Sequence, residues 1–155
     1  MENRPLTLPF GPERRMRVVL GLPRAATMDA VLILGHGANN DLNHPVLAGV
    51  NERLVREGVV TVRFNFPYAE EGRKRPDPDR VLEDAMALVL EYVAQQRDFQ
   101  GMEIFLGGKS LGARIAAQLT AQGAGVSGLV FLGYPKARRF AGPAPVCPPL
   151  SGAVP

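Results

Sequence analysis

From Arg17 to Tyr134 short apolar runs alternate with amphipathic stretches, and this order limits the available folds more than any other feature of the chain. The runs have strand length, and the stretches between them carry apolar residues at helical spacing. Such an order closes economically only as parallel strands joined by crossover helices, a doubly wound α/β sheet. "MRVVLGL" (16–22) predicts a first strand. "AVLILGHG" (30–37) is continuously apolar, as a strand buried on both faces should be. Pro45 suits the first turn of a helix, where its missing N–H costs nothing. Val46, Leu47, Val50, Leu54 and Val55 then share one helical face, and Gly58 ends the element.

"VVTVRFNF" (59–66) predicts the next strand, and a loop rich in charge and proline follows over 67–79. Arg73, Lys74 and Arg75 there sit beside Glu70, Glu71, Asp77 and Asp79, which reads as a solvated, self-paired loop rather than an anion site. Asp77 is expected to cap a helix with Pro78 at its first position. Val81, Leu82, Ala85, Met86, Val89, Tyr92 and Val93 form that helix's apolar face. A strand over 102–107, a helix over 111–123 and a strand over 128–134 complete the pattern.

The junction at "FLGGKSLGAR" (105–114) admits two parses. Gly108-Lys109-Ser110 could close a phosphate-binding loop, but that loop needs a glycine five residues before Gly108. Glu103 stands there, inside the predicted strand, and too little loop remains to wrap a phosphate. Gly108-Lys109-Ser110-Leu111-Gly112 is instead G-x-S-x-G with a buried strand entering and a helix leaving. The sharp turn strains the serine backbone and needs small neighbours two residues away on each side, which Gly108 and Gly112 supply. The following helix carries Ala113, Ala116 and Ala117, small enough for close packing on the sheet. Ser110 is therefore the candidate nucleophile of acyl-transfer chemistry.

That chemistry also needs donors aimed at the developing oxyanion. One is the backbone N–H after the nucleophile, here Leu111. The second comes from the loop after an earlier strand, and "GHGANN" (35–40) is placed to supply it through Gly37 or Ala38, with His36 shaping the loop. The plainer reading is that His36-Gly37 only turns the chain.

"LILGHGANNDLNHP", "VVTVRFNFPYAEEGRKRPDP", "FLGGKSLGARIAA" and "GLVFLGYP" together resemble the α/β-hydrolase-like domain shared by the NSL-complex subunit three and testis-expressed protein thirty group, whose bacterial members are related more loosely to dienelactone hydrolases. The resemblance covers roughly residues 15–135 in order and spacing. It implies an α/β-hydrolase fold with a mostly parallel sheet, Ser110 as nucleophile and the His36-Gly37 segment as oxyanion loop. Ala113 stands where the family often has a second glycine. The resemblance also implies an acid and a base on strands that would follow, beyond the end of this sequence.

A serine nucleophile at neutral pH needs a base, and in this fold the acid and the histidine follow the serine in the chain. No histidine, aspartate or glutamate follows Ser110. His36 and His44 both precede it. His44 is the candidate substitute base, although its place before Pro45 at a helix start suits capping better. Residues 136–155 hold five of the fourteen prolines, no acid and no periodicity. We read 1–135 as an incomplete hydrolase-like domain and 136–155 as an irregular, frameshifted or otherwise aberrant end, with a genuinely short family member as the rival. The strand at 128–134 would then be an open edge and a place for self-association.

Composition excludes other classes. At 155 residues, 46% hydrophobic and 21% charged, the chain reads as about one globular domain. The net charge of +3 comes from Lys136, Arg138 and Arg139; setting them aside leaves 15 basic residues against 15 acidic ones, so no basic face points to nucleic acid. Cys147 is alone, which excludes an internal disulfide and a cysteine-based zinc site. No metal or other cofactor is expected. No run resembles a signal peptide or reaches membrane-spanning length, so the expected location is cytoplasmic and no membrane partner is expected. Two functions remain: a serine hydrolase of a small ester or acyl compound, and a non-catalytic hydrolase-like module serving protein association.

Overall fold

The structure, a computed structural model, describes residues 1–135. Six strands form one mixed, mostly parallel sheet: β1 (Glu2–Phe10), β2 (Arg14–Leu22), β3 (Ala30–Gly35), β4 (Val60–Phe64), β5 (Glu103–Lys109) and β6 (Gly128–Leu132). Their order across the sheet is β1-β2-β4-β3-β5-β6. β3 runs parallel to both β4 and β5, and β5 runs parallel to β6. β2 is antiparallel to β4 and to β1. Four helices connect them: α1 (Pro45–Arg56), the single turn α2 (Pro67–Glu70), α3 (Asp79–Gln95) and α4 (Leu111–Ala121).

Successive side chains of β3 leave opposite faces of the sheet, and the two faces build two cores. Val31 and Ile33 join Val62, Phe64, Leu82, Met86, Val89 and Ile115 under α3 and α4. Leu32 and Leu34 meet Leu47 of α1 on the other face. A continuous apolar strand is thus satisfied on both sides, as its sequence requires.

Several expected details are corrected. β2 is the second strand, because Glu2–Phe10 pairs with it along its whole length, from Glu2 opposite Leu22 to Phe10 opposite Arg14. Pro5 and Pro9 hide this strand from a propensity reading, yet an edge strand tolerates both. A helical turn, α2, stands inside the segment expected to be loop. The α3 cap is Pro78, with Asp79 as the first helical residue, and no side-chain cap forms. The Asp77 carboxylate is instead spent on Arg14 at 2.7 Å and Arg73 at 2.9 Å. Arg73 also pairs with Glu71, so the expected internal pairing of the 70–79 segment runs through Arg73, while Glu70 pairs with Arg17, Asp79 with Arg114, and Arg14 of β2 reaches Glu71. On α1, Val46 faces outward and Asn51 is buried in its place. Thr61 of β4 donates to the Asn51 side chain, which donates in turn to Asn3. β6 is an edge strand among the described residues, and the rings of Phe131 and Tyr134 meet there at a tilt of 56°, about half exposed.

Candidate active site

β5 delivers the chain through Gly107, Gly108 and Lys109 to Ser110, and α4 begins at the next residue. Ser110 takes φ 51° and ψ −104°, a backbone region that costs a residue with a side chain about 1–3 kcal/mol. The surroundings hold it there. Its N–H donates to the Gly133 carbonyl at 2.7 Å, and its own carbonyl accepts the Arg114 N–H at 3.0 Å. Its side chain does not cap the helix, which leaves the half-buried Oγ outside the local hydrogen-bond pattern.

Three glycines make the turn possible. Gly35 at the end of β3 lies opposite Gly108 of β5. A Cβ on Gly108 or on Gly112 would overlap the Gly35 carbonyl oxygen, and one on Gly35 would come within 3.2 Å of the Gly112 Cα. At Gly108 and Gly112 backbone therefore packs directly on backbone, while a Cβ on Gly35 would meet the Met86 methyl first. Ala113 is fully buried. Leu111 opens α4, so its N–H has no partner within the helix, and it donates to no carbonyl of the described residues.

The loop after β3 lies against this turn. The point where a Gly37 Cβ would sit is 3.5 Å from the Lys109 carbonyl and 3.7 Å from Lys109 Nζ. Gly37 is buried and Ala38 exposed. Neither of their N–H groups donates to another carbonyl of the described residues. Asn39 takes φ 57°, and the Asn40 N–H closes the turn onto the Gly37 carbonyl at 3.2 Å.

His36 is fully buried beneath the loop. Its Nε2 accepts the Phe66 N–H at 3.0 Å, and Nδ1 lies 2.8 Å from the Gly37 carbonyl. An amide N–H can donate only to an unprotonated nitrogen, so the proton sits on Nδ1 and is donated to Gly37. Burial holds the imidazole below its ordinary pKa, against the opposing effects of the Gly37 hydrogen bond and of Asp41. Phe66 and Tyr68 pack edge-on against the ring.

His44 sits at the N-cap of α1, where its Nδ1 accepts the Val46 N–H at 3.2 Å. With Asn39, Asn40, Arg73 and Lys74 it lines an open cleft of about 490 Å³ whose lining residues do not include Ser110. Among the described residues no three His, Cys, Asp or Glu side chains gather as a metal site would require, and no helix is long and apolar enough to cross a membrane.

Residues 28–139 match the family described as "alpha/beta hydrolase domain". The chain belongs to that family. Its fold matches an alpha-beta serine hydrolase homologue from Coxiella burnetii at 25% identity and a TM-score of 0.70, over 84% of this chain and 62% of that one. A serine hydrolase without a lid from Xanthomonas campestris matches at 25% identity and 0.73, over 90% and 64%. Dienelactone hydrolase from Anabaena variabilis matches at 20% and 0.69, over 85% and 62%. The chain thus spans somewhat under two thirds of each of these proteins.

Sequence reasoning missed three features around the Ser110 turn. Gly35, which lets β3 touch α4, is hidden in an apolar run. Phe66 acts through its backbone N–H, for which side-chain identity is no signal. The Arg114–Asp79 pair, with Arg114 Nη2 donating at 3.0 Å, ties the first turn of α4 to the start of α3. That contact holds the Asp79 carboxyl below its ordinary pKa.

Proposed function

We propose that this hydrolase domain carries the nucleophile and the oxyanion donors of a serine acyl hydrolase acting on a small ester or acyl compound. The observation that carries the proposal is the left-handed backbone of Ser110 at a strand-to-helix turn built from Gly35, Gly108 and Gly112. Ser110 Oγ forms a bond to the acyl carbon and passes its proton to a base. The carbonyl oxygen gains charge facing the Leu111 N–H and an N–H of Gly37 or Ala38, and the leaving group departs as that oxygen reforms its double bond. The narrower kinship with the NSL-complex subunit three and testis-expressed protein thirty group belongs to the same proposal, supported by the four quoted segments.

The base is the open part of this chemistry. His36 has both ring nitrogens committed. His44 commits Nδ1 to the α1 cap and keeps Nε2 for proton transfer, which makes it the candidate substitute. A second reading is a hydrolase-like module without turnover, supported by the commitment of both His36 ring nitrogens and of His44 Nδ1 to local hydrogen bonds. Without a complete triad, binding and the oxyanion donors supply only about 10³–10⁴-fold over water. Hydrolysis of p-nitrophenyl acetate by the wild type, Ser110→Ala and His44→Ala separates these readings. Slow turnover lost in Ser110→Ala supports the hydrolase, and equal rates in wild type and Ser110→Ala sink it. An unchanged rate in His44→Ala removes His44 as base.

A further inference from the structure

We propose that the open cleft between the loop after β3 and the Ala69–Lys74 segment binds an anionic group, so that the acyl compound attacked by Ser110 carries a carboxylate or a phosphate. The inference rests on the serine-hydrolase reading of the site and deepens it by naming the substrate's charge.

The pairing of charges around the cleft leaves cations over. Each acid of the 70–79 segment is taken by an arginine: Glu70 by Arg17, Glu71 and Asp77 by Arg14 and Arg73, and Asp79 by Arg114. Lys74 lines the cleft beside Arg73 and forms no ion pair among the described residues. Asn39, Asn40 and Asn43 also line it, and none of their side-chain amides donates to a described residue. Asp41 is the one acid in the lining, and its Oδ1 accepts the Asn43 N–H at 2.7 Å. A second cation lies beneath this loop. Arg63 of β4 is only 6% exposed, and its Nη1 donates to the carbonyl of Leu42, between Asp41 and Asn43, at 2.8 Å. Asn65 accepts the Leu42 N–H at 2.8 Å, so the loop is held over Arg63 at both groups of one residue. Arg63 Nε has no partner, and no carboxylate of the described residues pairs with the guanidinium. Such a group, taken out of water without a counter-ion, is stabilised by an anion in the cleft above it. The cleft also reaches the elbow. Asn40 Oδ1 and Lys109 Nζ stand 3.1 Å and 3.7 Å from one point, the place a Gly37 Cβ would occupy. Lys109 is half-buried, immediately precedes Ser110 and forms no ion pair among the described residues. A small molecule with its carbonyl at Ser110 therefore meets Lys109 and then the amides and Lys74 of the cleft.

Binding and reaction are tested separately on the full chain. In ¹H–¹⁵N NMR spectra of the wild type, added glutarate or inorganic phosphate should shift the side-chain amides of Asn39, Asn40 and Asn43 saturably. The anion that saturates at the lower concentration is the group taken. Lys74 is exposed, so Lys74→Glu should fold and should lose the shifts. No saturable shift with either anion, or equal shifts in the wild type and Lys74→Glu, overturns the inference. The second measurement is the rate at which a fluorophosphonate labels Ser110 when its chain ends in the preferred anion, against the same probe with that group methylated. The wild type should label about tenfold faster with the anionic probe, the worth of one charge-assisted hydrogen bond, and Lys74→Glu should lose that preference. Equal labelling of the wild type by both probes overturns the inference and leaves the hydrolase reading intact. Saturable anion binding in a wild type that neither probe labels keeps the anion site and overturns the hydrolase reading, together with the claim on the substrate.

Discussion

The two turns that meet at Ser110 are held by opposite means. The elbow between β5 and α4 is fixed by exclusion: Gly108 and Gly112 touch the backbone of Gly35, and a carbon added at either collides with its carbonyl oxygen. The loop after β3 is fixed by attraction, through a buried imidazole that bonds the Gly37 carbonyl on one side and the Phe66 amide on the other. The elbow should therefore tolerate changes of polarity nearby but no added volume. The loop should tolerate modest changes of volume but no loss of hydrogen bonding. One site thus has two distinct failure modes.

The largest effect should come from adding volume at the elbow. Gly112→Val places side-chain atoms onto the Gly35 carbonyl, and backbone cannot repack around them. We expect a loss of about 3 kcal/mol or more in urea unfolding. A variant as stable as the wild type would break the contrast at its stronger side. Next in size is removal of polarity under the loop. His36→Phe leaves the Phe66 N–H and part of the Gly37 carbonyl unpaired in the interior, and we expect a loss of about 2 kcal/mol by the same measurement.

Acid sharpens the comparison without mutation. His36 in the folded chain binds a proton less readily than an unfolded histidine, because burial opposes the charge, with His44 adding to this and Asp41 opposing it. The unfolded state therefore takes up the proton first. Stability should be complete above about pH 6.5, the ordinary histidine value, and fall as the pH drops below it. His36→Phe should lose this limb. A second decline should begin near pH 4.5, because hydrogen bonds from Arg14 and Arg73 hold Glu71 down to about 2. Folded Glu71 resists protonation, so its contribution is present above the unfolded value and lost toward pH 2. A flat unfolding profile from pH 7 to 5 in the wild type would contradict the neutral, buried state of His36.

Smaller effects lie at the borders of the site. Asp79→Asn weakens the partly exposed pair with Arg114, and we expect less than about 1 kcal/mol in thermal unfolding. Tyr68→Phe should be neutral or slightly stabilising in the same assay. The Tyr68 hydroxyl is buried without a partner among the described residues, and burial first, then Asp77, pushes its pKa up to about 12. A clear destabilisation would reveal a partner for that hydroxyl.

Much of this architecture is legible in the sequence because burial on both faces leaves a strong imprint. β3, β4 and β5 read as strands through their continuous apolar runs, and α1, α3 and α4 through helical spacing, with ends differing by one to two residues. β1 does not, since Pro5 and Pro9 interrupt the short alternation of Leu6, Leu8 and Phe10 that packs against the core. The cap of α3 is misread because Asp77 has a stronger use in pairing with two arginines than in capping. At the site, G-x-S-x-G marks the elbow because the turn demands specific small residues. The partner of His36 leaves no mark, because it is the backbone of a residue thirty positions away.

The strained backbone of Ser110 should present a reactive oxygen. Incubating the full chain with a fluorophosphonate and mapping the adduct by peptide mass spectrometry tests it directly. If Ser110 is the nucleophile, one adduct forms, on the peptide containing Ser110, and Ser110→Ala remains unmodified. A folded wild-type protein that stays unlabelled, or an adduct that persists in Ser110→Ala, contradicts the claim.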